Sequence, residues 1–194
     1  MTRFDLFTIG HSNHAIDDFL ARLTGAGVDA VADVRSVPFS RRYPWFSQGP
    51  LGDRLAREGL AYVGLGDALG GRPADPALFA DGVADFEAIA ATPQFRAGLA
   101  RVVDGTKRFR ICLLCAEREP LDCHRCLLVG RALAGGGLAI GHILADRTVE
   151  PHAETEERLL RLAGEADDLF ADRAARLGRA YRRRARAKAY RAPP

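Results

Sequence analysis

With 194 residues and 47% hydrophobic content, the chain can bury one substantial core, and its composition calls for an appendage at most beyond a single domain. A formal net charge of +3 is too small to imply nucleic acid by itself. Met1-Thr2-Arg3-Phe4-Asp5-Leu6 lacks the basic and then apolar stretch of a secretory leader, and no apolar run nears the roughly 20 residues of a membrane span, so a cytoplasmic protein without a membrane segment is expected.

In chain order, Leu6-Phe7-Thr8-Ile9 is a short β-prone run that ends at Gly10-His11-Ser12. Ile16, Phe19, Leu20 and Leu23 follow at helical spacing, closed by Gly25 or Gly27. Ala30-Val31-Ala32-Asp33-Val34 reads as a buried strand ending in Asp33, Arg35 and Ser36, before Pro38 turns the chain into the basic and aromatic loop Ser40-Arg41-Arg42-Tyr43-Pro44-Trp45-Phe46. Leu51 and Leu55 mark a short helix that Gly59 can end, and Leu60 to Val63 forms a third strand leading to Leu69-Gly70-Gly71-Arg72-Pro73. Residues 73–91 carry little signal beyond a helical turn near Phe86 and Ile89. Thr92 as N-cap with Pro93 at the first helical position then starts a helix that places Phe95, Leu99, Val102 and Val103 on one face.

The chemistry concentrates between Arg110 and Arg125. Ile111 to Leu114 is too short and too apolar for a surface helix and reads as a buried strand; Pro120 breaks the loop after it, and Asp122 stands where an N-cap should. Cys123, His124 and Arg125 would then fill the first helical turn, where unpaired N–H groups and the helix dipole favour anions and thiolates. Leu127, Leu128 and Leu133 continue that helix to Gly135-Gly136-Gly137, and Leu138 to Leu144 is the last strand. After Pro151 a long helical tail carries Leu159, Leu160, Leu162, Leu169 and Phe170, and from Arg173 to Arg191 it holds arginines and one lysine with no acid.

Alternating strands and helices predict an α/β fold: a Rossmann-like, mostly parallel sheet with helices on both faces, as one domain over residues 1–152, and a C-terminal helical basic extension over residues 153–194. Ligands of such sheets bind beyond the carboxyl ends of the strands. Those ends carry His11 and Ser12, Asp33 and Arg35, Gly70 and Gly71, Cys115 and Glu117, and His142, so polar groups scattered in sequence would converge on one rim.

These blocks resemble the domain of unknown function 488 family. The resemblance lies in Thr8-Ile9-Gly10-His11-Ser12, Asp33-Val34-Arg35 with Pro38 and Ser40, Leu69-Gly70-Gly71, Leu114-Cys115 with Glu117, Cys123-His124-Arg125, and His142-Ile143, over roughly residues 6–152. It implies that the blocks form one site. Cys112 and Cys126 lie outside the motif.

The four cysteines crowd between Cys112 and Cys126, which in a reducing compartment suits free thiols, metal ligands or redox groups rather than a disulfide scaffold. Positions three apart on a strand face opposite ways, so Cys112 and Cys115 cannot share a metal; no residue is assigned to a metal, no cofactor is called for, and Cys112 and Cys126 read as core. Cys115 and Cys123 are candidate nucleophiles, or inert packing groups. Glu117 is a candidate acid or base, or an ion-pair partner of Arg35 or Arg125. His11, His124 and His142 can transfer protons or bind oxyanions. Ser12, Asp33, Arg35, Ser40, Gly70, Gly71 and Arg125 are assigned to ligand binding, with Arg35, Arg41, Arg42, Arg72 and Arg125 making the rim electropositive. Tyr43, Trp45 and Phe46 could stack on bases or fold over their own core. The leading expectation is an enzyme acting on a phosphorylated ligand, a nucleotide or nucleic acid. The alternatives are a non-catalytic nucleotide- or nucleic-acid-binding regulatory module, and a thiol redox or metal-binding protein.

Overall fold

A computed structural model describes residues 3–166 and 171–192. Its centre is a six-stranded sheet of order β3-β2-β6-β1-β7-β8, formed by β1 (Leu6–Gly10), β2 (Ala30–Asp33), β3 (Ala61–Gly64), β6 (Ile111–Cys115), β7 (Ile140–Ile143) and β8 (Val149–Pro151). Every neighbouring pair is parallel except β7 and β8. The fold is therefore a Rossmann-like α/β sheet with one antiparallel edge strand. That edge strand ends in Pro151, a residue with no backbone N–H to offer a further partner.

Alternation along the strands divides the core in two. Phe7, Ile9, Val31, Cys112 and Leu114 face α1 (Ile16–Gly25) and α2 (Gln48–Arg57). Leu6, Ala30, Ala32, Leu113 and Cys115 face the remaining helices: α3 (Gly66–Leu69), α4 (Phe86–Ala91), α5 (Pro93–Gly105), α6 (Arg131–Gly135), α7 (His152–Ala163) and α8 (Arg173–Lys188). Cys112 and Cys115 thus lie on opposite faces, as period-two alternation requires. Phe19, Leu23, Leu51 and Leu55 are fully buried, each contributing roughly 1.5–3 kcal/mol of apolar transfer.

Side-chain caps start three of the eight α-helices among the described residues: Asp85 at α4, Thr92 at α5 and Asp172 at α8. The Thr92 hydroxyl accepts the Phe95 amide at 3.1 Å at the head of α5, whose Phe95 and Val102 are buried; Val103, expected on the same face, is exposed. Residues 73–91 form a short hairpin, β4 (Phe79–Ala80) with β5 (Val83–Ala84), before α4. Leu138 to Leu144 supplies a shorter strand than expected, β7.

The basic tail packs into the same core as the sheet. Leu177, Ala180 and Tyr181 of α8 are buried, and the chain beyond it pairs with the hairpin through the Tyr190 carbonyl and the Ala84 amide at 2.8 Å. Among the described residues, five of its nine cations from Arg173 to Arg191 meet acids of the same chain: Arg173 pairs with Glu156 and Glu157, Arg179 with Glu165, Arg186 with Asp81, and both Arg184 and Lys188 with Asp122. Leu169 and Phe170 lie outside the described residues. No helix among the described residues is long and apolar enough to cross a membrane.

Candidate functional site

The carboxyl edge of β6 and the loop after it build the site. Cys115 closes the strand, Glu119 caps a single turn over Pro120–Asp122, and that turn returns the chain so that Cys123 begins the next helix. Asp122 is not the N-cap. Cys123 holds that position, with φ −133° and ψ 138°, and its Sγ accepts the Arg125 amide at 3.4 Å. Asp122 instead turns outward to Arg184 and Lys188, because the Pro120 turn has already used the residue for its own last position. From Arg125 to Gly130 the helix is π-wound before α6 continues it.

This loop gathers two thiols, a carboxylate and an imidazole. Glu117 Oε2 lies 3.0 Å from the Sγ atoms of both Cys115 and Cys123, and His124 Nδ1 lies 3.7 Å from Cys115 Sγ. On its other side His124 Nε2 donates to the Val34 carbonyl at 2.8 Å, so that in the neutral ring the lone pair is on Nδ1. Gly71 seats the ring: a Cβ there would come within 2.8 Å of His124 Cβ and Cγ. Both thiols are buried, the ring is half-buried and Glu117 is exposed.

Burial raises the Cys115 thiol well above its usual value, and the neighbouring Cys123 adds to the effect. Burial also opposes ionisation of Cys123, but the Cys115 thiol, the Arg125 guanidinium and His124 together outweigh it and hold Cys123 well below the usual thiol range. Cys123 therefore ionises first. Burial lowers His124, but its contact with Cys123 and the Val34 carbonyl carry the ring above its usual value.

Above the cluster is a cavity of about 140 Å³ lined by Arg35, Arg72, Lys188, Cys115, Glu117 and His124, with Gly71 and Tyr190 also on its wall. Arg35 is aimed by a two-pronged ion pair, Nε to Asp33 Oδ1 at 2.9 Å and Nη2 to Oδ2 at 2.5 Å, and the Tyr62 hydroxyl donates to the same carboxylate at 2.7 Å. Asp33 is thus a positioning group beneath the cavity wall. Gly70 packs on Ser36, whose hydroxyl accepts the Arg72 amide at 3.0 Å and so presents Arg72.

The other expected residues sit apart from this cavity. Arg125 is fully buried and donates to the Glu117 and Arg118 carbonyls at 2.5 and 3.1 Å, so it clamps the loop instead of facing a ligand. His11 stacks on Phe46 at 4.4 Å and donates to the Ser12 carbonyl; burial and Arg35 push it down to about 4, so the ring is neutral at physiological pH. The Ser12 amide braces the loop by donating to the Ala116 carbonyl at 2.9 Å, and Ser40 accepts the Tyr43 amide within its own loop. His142 belongs to a separate buried chain: Nδ1 with the Thr8 hydroxyl at 2.8 Å, Nε2 with His152 Nδ1 at 2.9 Å, and His152 onward to Tyr181 at 3.0 Å. The mid-strand pairing of His142 with Thr8, one turn of the pleat below the edge, keeps it from the rim. Phe46 folds into the core, whereas Phe39 and Trp45 stay exposed.

Lys188 and Tyr190 were missed. No local pattern marks them, since an acid-free helix carries no record of the cavity its last turn reaches.

The family described as "Domain of unknown function DUF488" matches residues 15–132, more than half of the chain. The matched stretch contains Asp33, Arg35, Gly70, Gly71, Cys115, Glu117, Cys123, His124 and Arg125, and it ends before β7 and the tail. No curated protein and no solved structure matches the chain.

Proposed function

The chain belongs to the DUF488 family, and we propose that it is an enzyme acting on a phosphorylated ligand, a nucleotide or nucleic acid, at the carboxyl edge of its parallel sheet. The observation that carries this reading is the cavity lined by Arg35 and Arg72 together with Glu117, Cys115 and His124; Lys188 reaches the same cavity but is paired with Asp122, which also lines it. Cations beside a carboxylate that can carry a proton are what a phosphate-directed reaction needs. Arg35 is held rigid by Asp33, so an anion meets a donor already in place. Glu117, exposed at the cavity, moves the proton. A grip on nucleic acid by the tail is the weaker reading, because its Arg173, Arg179, Arg184, Arg186 and Lys188 are each paired with an acid.

Thermal unfolding against nucleotides, sugar phosphates, inorganic phosphate and short single-stranded oligonucleotides tests the proposal. A ligand at a hundred times its Kd stabilises by about 2.7 kcal/mol, or about 5–11 °C for a chain of this size. That shift is expected for one ligand class and is lost in Arg72→Ala/Lys188→Ala. Glu117→Gln should keep the shift and lose turnover of the ligand so identified. No shift, or one that persists in the double variant, overturns the assignment.

A further inference from the structure

We propose that Cys115, Cys123 and His124, closed on the cavity side by Glu117, form a tetrahedral binding site for a zinc-like divalent cation. One ligand atom from each of these residues lies within 4.8 Å of all the others. A tetrahedral zinc with sulfur at 2.3 Å and nitrogen or oxygen near 2.1 Å separates its ligand atoms by about 3.6 Å. The Cys115 Sγ to His124 Nδ1 distance is 3.7 Å, and the two thiol to carboxylate distances, at 3.0 Å, need to open by only about half an ångström to match that geometry.

The surroundings are those of a ligand set held in advance. The His124 nitrogen that would face the metal is fixed because the other donates to the Val34 carbonyl, the arrangement by which a protein orients a metal-bound imidazole. Gly71 leaves the ring no room to turn. Cys123 is anchored by the Arg125 amide, and the chain bearing Glu117 is clamped by the Arg125 guanidinium. Two thiolates and an imidazole select a borderline-soft ion over magnesium or calcium, which take oxygen ligands. Binding would release the thiol protons to solvent. Glu117, the exposed member, is the displaceable ligand and opens toward the cavity; only that orientation rests on the function proposed above.

A second cluster, Cys126 with His142 and His152, shows what such a site lacks. Its atoms are equally close, but His142 spends both ring nitrogens on Thr8 and His152, and His152 spends its other nitrogen on Tyr181. Both rings have committed their nitrogens to one another and to Thr8 and Tyr181, so only the Cys126 sulfur could serve a metal.

The test is metal analysis of the full chain purified under reducing conditions without chelator, followed by removal of metal and titration with Zn²⁺ and with Co²⁺. About one zinc per chain is expected, and Co²⁺ should produce thiolate charge-transfer absorption together with the intense visible bands of a tetrahedral ion. Cys115→Ser, Cys123→Ser and His124→Ala should each weaken binding by at least tenfold. Cys112→Ser, on the opposite face of the sheet, should leave it unchanged. Wild-type protein that carries no zinc and gives no charge-transfer band overturns the site, whether or not the variants fold; so does a band that survives Cys115→Ser/Cys123→Ser. Because these spectra are recorded with no phosphorylated compound present, a metal site can stand while the ligand assignment falls, and a ligand shift that persists in apo-protein can stand while the metal site falls.

Discussion

Replacing Arg125 with methionine keeps much of the side chain's apolar volume and removes a guanidinium that is wholly buried. Two main-chain carbonyls, those of Glu117 and Arg118, then lose their donors at 2.5 and 3.1 Å. A buried acceptor left unpaired costs roughly 1–3 kcal/mol, so the gross loss is roughly 2–6 kcal/mol. Against it stands relief of burying a charge whose Nε has no partner among the described residues, which offsets part of that loss. The Glu117 oxygen abuts Gly10 so closely that a Cβ there would lie 1.7 Å away, which closes that side of the carbonyl to water. We therefore expect a net destabilisation of about 3 kcal/mol, or about 6–12 °C in Tm. Calorimetry on wild type, Arg125→Met and Arg125→Lys measures it, with the lysine variant between the other two because it restores one donor. An unchanged or higher Tm in Arg125→Met would refute the role of this side chain as the clamp of the Cys115–Cys123 loop.

Gly71→Ala should destabilise by about 1–3 kcal/mol in urea unfolding, since its Cβ would press within 2.8 Å of an imidazole that Val34 prevents from moving away; an unchanged midpoint would show that the ring is not seated against this turn. Stability should also fall in mild acid. Burial, joined at His142 by the neighbouring His152, holds both rings below their usual value of 6.5. The unfolded chain therefore takes up their protons first, so the stability they confer is complete above about pH 6.5 and is lost as pH falls below it, by up to about 1.4 kcal/mol per pH unit for each proton. Urea midpoints at about pH 7.5 and about pH 5.5 should show this, with a flatter dependence in His152→Gln; an equal slope in the variant would sink the argument.

Much of the architecture was legible in the chain. Thr92-Pro93 marks a helix start because a hydroxyl and a missing N–H answer needs local to that turn. The placement of Cys112 and Cys115 on opposite faces follows from strand periodicity alone. The same local reasoning failed at Asp122, where a Pro120 turn took the residue out of the cap position and handed the cap to a cysteine. It failed again at Val103, one residue beyond the buried stripe of α5.

By itself the sequence determined the Rossmann-like alternation and the residue types at each strand end, because each depends on near neighbours along the chain. Only the tertiary structure decided which of them meet. The order β3-β2-β6-β1-β7-β8 sets His142 into a buried chain with Thr8 and His152, and places the Val34 carbonyl where it fixes His124. Folding of α8 onto the same core brings Lys188 to the cavity and pairs most of the tail's cations with acids. Arg125 looks like a ligand-binding arginine in the sequence and is a buried clamp in the fold, since the role of a guanidinium is set by what surrounds it, and distant segments supply those surroundings.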